Sequence, residues 1–260
     1  MSDNQVLLRH DRDGVAWLTM NRPAARNALS MDLMTAMDAA LAAIEHDPSV
    51  RVAVIAGAGS AFSAGHDLRE VRDHPDRASY EALFALCSRL MQRIVHLPKP
   101  VIARVHGVAT AAGCQLVASA DLAIAGASAR FATPGVNIGL FCTTPMVALT
   151  RAVGRKAAME MLLTGELISA DRAREIGLVN RVVPDAELDA AVKDLAARIA
   201  SKSPLTVATG KQAFQRQAEM DLAAAYDFAS GVMTGNMLAH DAAEGIDAFL
   251  EKRPPVWSGT

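Results

Sequence analysis

Cysteine is scarce in this chain of 260 residues: Cys87, Cys114 and Cys142 stand far apart, and no C-x-x-C pair occurs. An odd, scattered set excludes a disulfide framework and a zinc knuckle. Aromatic residues make up only 4%, whereas 51 alanines contribute to an apolar share of 51%. That balance points to a helix-rich core packed through small side chains and away from an all-strand architecture. No apolar run approaches the roughly 18 residues of a membrane span. The opening MSDNQVLLRHDRDG carries charges where a signal peptide needs an apolar centre, and acidic residues that an organelle transit peptide lacks. These absences lead to the expectation of a soluble, cytoplasmic protein. With 26 basic against 28 acidic residues the net charge is -2, so neither nucleic acid nor a membrane is expected as a partner.

The chain also lacks G-x-x-x-x-G-K-[ST], G-x-S-x-G and H-E-x-x-H, and no two of its seven histidines fall at i, i+4. Common phosphate, esterase and metalloprotease sites are thereby excluded, and no metal is expected. Gly57-Ala-Gly-Ser-Ala-Phe62 begins like a dinucleotide fingerprint. Phe62 occupies the sixth position, where a small residue is needed for close helix packing, and the match fails.

What is present reads as short strands and helices in alternation. QVLLRH (5 to 10) and GVAWLTM (14 to 20), around a D-G step, predict an opening hairpin. Ser30 is placed to cap a helix from Met31 to about Ile44, with Leu33, Met34, Met37, Leu41 and Ile44 at helical spacing. RVAVIAGAG (51 to 59) reads as a buried strand, followed by a helix over Tyr80 to His96. Residues 100 to 107 and 122 to 129 read as further strands around a small-residue segment, 108 to 120. From Thr144 onward the signals are nearly all helical: 155 to 164, 169 to 176, 185 to 200, 204 to 220, 222 to 237 and 241 to 252. The expectation is an α/β core over residues 1 to 200 and a helical C-terminal region over 201 to 260, packed on the core or on a neighbouring subunit.

Two strand-to-helix junctions built from small residues stand out: AFSAGHDL (61 to 68) and HGVATAAGCQL (106 to 116). Such junctions leave backbone N–H groups unpaired at a helix N-terminus, and two that converge can cradle an oxyanion. Asn21-Arg22-Pro23 with Asn27-Ala28-Leu29, AFSAGHDL, HGVATAAGCQLVASADLAIA, FATPGVNIGL and AFLEKRPP (248 to 255) are similar, in this order, to motifs of the crotonase family, the enoyl-CoA hydratases and isomerases. The resemblance spans nearly the whole chain. It implies a crotonase-like spiral of ββα units with a helical C-terminal region for trimerisation and for covering coenzyme A, assembled as a homotrimer or a dimer of trimers.

The same resemblance implies acyl-CoA metabolism without a bound cofactor, coenzyme A being part of the thioester substrate. It places the two oxyanion-holding N–H groups on Ala64 and Ala112. Ala61, Phe62, Ser63, Gly65, Asp67, Leu68 and Arg69 surround the first, and Gly113 adjoins the second. Thr133, Pro134, Asn137 and Cys142 fall on the pocket wall, with Thr143 a further polar candidate. Phe249 and Lys252 match positions that reach the adenine and the 3'-phosphate. Asp67 reads equally as an N-cap for the following helix.

Two departures bear on the chemistry. The positions of the two hydratase glutamates hold Gln115 and Gly135, and neither an amide nor a glycine exchanges a proton near neutral pH. Classical hydration is therefore not expected. His66, a residue type suited to acid and base work near pH 7, is a candidate for decarboxylation or thioester hydrolysis, and a non-catalytic acyl-CoA binder is a further alternative.

Overall fold

A computed structural model describes residues 5–260. Strands β1 (Leu7–Arg12) and β2 (Val15–Met20) form the expected hairpin. Its strands run into the D-R-D-G segment and leave a two-residue turn, in which Asp13 and Gly14 both have positive φ. Helix α1 (Met31–His46) starts at Ser30, whose hydroxyl accepts from Leu33 N, and its predicted apolar face is fully buried. Then follow β3 (Val52–Gly57), α2 (Leu68–Asp73), α3 (Arg77–His96), β4 (Val101–Val105), β5 (Val108–Thr110), α4 (Ala112–Ser119), β6 (Leu122–Gly126) and β7 (Arg130–Ala132). The remainder comprises α5 (Thr143–Ala152), α6 (Arg155–Thr164), β8 (Ile168–Ser169), α7 (Ala170–Glu175), β9 (Arg181–Val183), α8 (Leu188–Ala200), α9 (Pro204–Gln217), α10 (Leu222–Met237) and α11 (His240–Glu251).

The strands divide into two sheets. One has the order β1-β2-β3-β4-β6-β9, parallel except at β1; the other has the order β5-β7-β8. Two passes of the chain, β4-β5-α4 and β6-β7-α5, contribute one strand to each sheet and then a helix, the unit of the expected ββα spiral. The larger sheet buries both faces. Leu18, Ile55 and Ala103 belong to the main core with α1, α3 and α4, while Val52, Val54, Ile102 and Ile124 pack under Leu188, Val192 and Ala196 of α8. Central strands buried on both sides account for the unbroken apolar run at 52 to 56.

The C-terminal helices are fastened to this core by a buried cation. Lys211 of α9 donates to the carbonyls of Ile94 and Lys99 and meets Asp121 Oδ2 at 2.7 Å. Asp121 also accepts from Val101 N. Beyond this anchor, α10 and α11 present Leu222, Tyr226, Phe249 and Leu250 to solvent.

Candidate active site

The first motif acts as a brace. Asn27, fully buried, donates through Nδ2 to the carbonyls of Ala58 and Ala61 and accepts from Arg22 N through Oδ1. Arg22 in turn donates to Ala28 O and pairs with Asp67 at 2.8 Å. One short segment thus fixes both ends of the first junction, residues 58 to 67.

Within that junction the geometry decides which N–H is free. Ala64 N donates to Arg26 O at 3.0 Å, so the expected assignment of an oxyanion-holding N–H to Ala64 is corrected: its proton is already committed. Two residues on, Leu29 N donates to Gly65 O and Asp67 N donates to Leu29 O, at 2.7 and 3.2 Å, forming a parallel bridge centred on His66. In such a bridge the central residue turns its own N–H away from the partner strand. His66 N–H accordingly has no acceptor among the described residues.

The second junction supplies the other donor. Ala111 has φ 49° and ψ -117°, a strained conformation for a residue with a side chain, and α4 begins immediately after it with no side-chain cap. Ala112 is the first helical residue, so its N–H lacks an intrahelical partner and stands at the positive end of the helix dipole. The two junctions touch. A Cβ on Gly65, whose φ is +93°, would lie 3.3 Å from Ala112 N and 2.8 Å from Ala111 Cβ; a Cβ on Gly113 would overlap Ser63 O at 2.3 Å. Glycine at 65 and 113 is what lets the free N–H groups of His66 and Ala112 share one locality. Ser63 completes the packing, donating through Oγ to Asn27 O.

The other expected site residues divide. Ala61 and Phe62 are buried in the wall behind the first junction. Asp67 takes the N-cap role read from the sequence: Oδ1 caps α2 by accepting from Arg69 N, and Oδ2 is held by Arg22. Leu68 and Arg69 are exposed on α2. Gln115 is buried on α4, its Oε1 3.8 Å from Cys87 Sγ, and it lines a cavity of about 780 Å³ with Met91, Ser119 and Val147. Gly135 has no room for a side chain, because a Cβ would come within 2.8 Å of Leu140 O and 2.9 Å of Cys142 Sγ. Pro134 opens the single-turn helix Pro134–Ile138. Asn137 and Thr143 are exposed, and Asn137 lies against Gly165 instead of the junctions. Phe249 and Lys252 lie at the end of α11, which packs on α9 and α10; no hydrogen bond links either side chain to a junction of the same chain.

Burial raises the pKa of all three thiols, Cys87 and Cys114 to about 12, which leaves them as packing groups at neutral pH. Three buried side-chain polar atoms have no hydrogen-bond partner among the described residues: both ring nitrogens of His66 and Thr133 Oγ1. Leaving such a group unmatched costs about 1–3 kcal/mol. The His66 ring meets the edge of Phe84 at 5.7 Å between centroids. Burial pulls its pKa below the ordinary value, and the nearby Leu29 backbone partly opposes this. A lowered folded pKa gives stability that is complete above about 6.5 and is lost as the pH falls through the folded value. The thermal midpoint should therefore drop between about pH 7.5 and pH 5, and His66→Phe should flatten that profile; His106, also lowered by burial, supplies the remainder. An unchanged profile in His66→Phe would refute the assignment.

The sequence family follows from fold and site together. The family model for enoyl-CoA hydratase/isomerase matches residues 10–260, and the chain belongs to that family. It is 44% identical over 257 residues to the mouse protein named enoyl-CoA hydratase domain-containing protein 3, mitochondrial, covering 99% of this chain and 86% of the relative. It is 36% identical to a short-chain-enoyl-CoA hydratase of Clostridium acetobutylicum, with 97% of each chain covered. Among solved structures, an enoyl-CoA hydratase of Mycobacterium smegmatis superposes with a TM-score of 0.96 at 53% identity, covering 98% of this chain and 99% of that one. Human enoyl-CoA hydratase domain-containing protein 3 gives 0.95 at 45%, covering 97% and 100%. The mitochondrial names of the mouse, human and Xenopus laevis relatives point away from the cytoplasmic location expected from the sequence, and that expectation is withdrawn. No described helix is long and apolar enough to cross a membrane.

Proposed function

We propose that this chain binds an acyl-CoA thioester and holds its carbonyl oxygen between the N–H groups of His66 and Ala112. The observation that carries the reading is the pair of unsatisfied N–H groups on two junctions in contact, each next to a glycine that cannot be enlarged. Two donors aimed at one oxygen stabilise negative charge there, and so favour an enolate or a tetrahedral oxyanion over the neutral thioester. The infrared carbonyl band of a bound, carbon-13-labelled butyryl-CoA tests this. A shift to lower wavenumber on binding is expected; bound thioester with an unshifted band would overturn the assignment.

Hydration forms no part of the proposal, because no carboxylate stands at 115 or 135 to position water or exchange its proton. Nor is the machinery restored by writing the glutamates back. Gly135→Glu forces a side chain against Leu140 O and Cys142 Sγ, at a cost of about 1–3 kcal/mol. The Gln115→Glu/Gly135→Glu variant is expected to unfold at lower urea and to leave crotonyl-CoA unhydrated. Rapid hydration at unchanged stability would show that the overlap is relieved at no cost. The same absence of carboxylates favours a second reading, a thioester binder without turnover, which product analysis by mass spectrometry separates from the first.

We further propose assembly as a homotrimer or a dimer of trimers through the C-terminal helices. The exposed Phe214, Leu222, Tyr226 and Leu250 support this. Phe249 and Lys252 of one copy would then be available to cover coenzyme A bound to another.

A further inference from the structure

Thr133 occupies the N-cap position of the Pro134–Ile138 turn, yet its hydroxyl makes no cap bond. Such a residue ordinarily spends its oxygen on the N–H groups just ahead. Here Thr133 Oγ1, on a residue only 1% exposed, is left without a partner. Thr133 adjoins the site through the backbone, for it follows Ala132, whose carbonyl accepts from Ala111 N. The orphaned His66 ring belongs to the first junction and Thr133 follows the strand paired with the second, so every unmatched buried side-chain nitrogen or oxygen among the described residues lies on or beside a junction. Buried polar groups without partners mark places where something else completes the hydrogen bonds.

We propose that Thr133 is a specificity-determining residue whose hydroxyl, with the His66 ring, hydrogen-bonds an uncharged oxygen on the acyl group of the bound thioester, as in a hydroxyacyl or oxoacyl chain. The reading rests on the acyl-CoA proposal above. An uncharged oxygen suits this surrounding better than a carboxylate. The hydroxyl is neutral, burial disfavours the charged imidazole, and Arg22 is already engaged by Asp67 and Ala28 O. A buried anion without a cationic partner is strongly disfavoured.

Calorimetric titration of the full chain with 3-hydroxybutyryl-CoA, butyryl-CoA and malonyl-CoA tests the assignment without relying on turnover. The native protein should bind the hydroxyacyl thioester about tenfold more tightly than butyryl-CoA, a margin typical of one good hydrogen bond. Thr133→Val should remove most of that preference, and Thr133→Ser should retain it. The ligand-free valine variant should also melt about 3 °C higher, since an unmatched hydroxyl has been removed. A preference that survives Thr133→Val in full, or tighter binding of malonyl-CoA than of the hydroxyacyl thioester, overturns the proposal. Equal binding of the hydroxyacyl and butyryl thioesters overturns it while sparing the acyl-CoA reading. Failure of all three thioesters to bind overturns both.

Discussion

Replacing Ala112 with proline should diminish the carbonyl shift of a bound thioester and slow whatever conversion of that thioester the chain performs by about 10²–10³-fold, the usual loss for one oxyanion donor. The substitution is selective because Ala112 opens α4. Proline is accepted at the first helical position, where its missing N–H takes no bond from the helix. What disappears is the donor beside Gly65; what takes its place is a ring carbon that donates no hydrogen bond. Ala112→Gly is the control, because it keeps the N–H and should keep the shift. A folded Ala112→Pro protein with an undiminished band would show that the carbonyl lies elsewhere, and the His66 assignment would fall with it.

Lys211→Ala is expected to produce the largest loss of stability, about 3–5 kcal/mol, as is usual when one partner of a buried pair is removed. The Lys211 side chain is 7% exposed and that of Asp121 17%. Desolvation raises the pKa of Asp121 and lowers that of Lys211, while each charge supports the other. Without the ammonium, Asp121 is a buried carboxylate with no cation, and the carbonyls of Ile94 and Lys99 lose a donor. Urea unfolding should show the loss, and Lys211→Met with Asp121→Asn should recover much of it. Equal losses in the single and double variants would mean that packing of the lysine stem, and not the charge, holds α9.

Much of this architecture is legible in the sequence because its signals are local. The D-G turn, the Ser30 cap and the apolar face of α1 each depend on residues within a few positions of one another. Strands β8 and β9 carry no such signal, being two and three residues long and existing only by pairing with β7 and β6. Helix α2 is a six-residue turn with no buried residue, so no periodicity marks it, although its cap at Asp67 is readable. The site divides in the same way. Glycines at 65 and 113 and the missing glutamates can be seen in the letters, but the identity of the first free N–H cannot. That depends on Arg26 O reaching Ala64 and on Leu29 bracketing His66, contacts across nearly forty residues of chain. The unmatched hydroxyl of Thr133 is hidden for a similar reason, since only the fold shows that its cap bond is not made.

The crowding around Gly135 also bears on which single substitutions the position admits. With Cys142 and the Leu140 carbonyl in the space of a side chain, a carboxylate at 135 enters only at a cost in packing. The first substitution at 135 meets the overlap before any acid is in position to be useful, and a second change at 142 relieves only the thiol, not the backbone oxygen. Such a position works as a filter on substitution: glycine passes, and a carboxylate meets the cost of its volume before its chemistry can count.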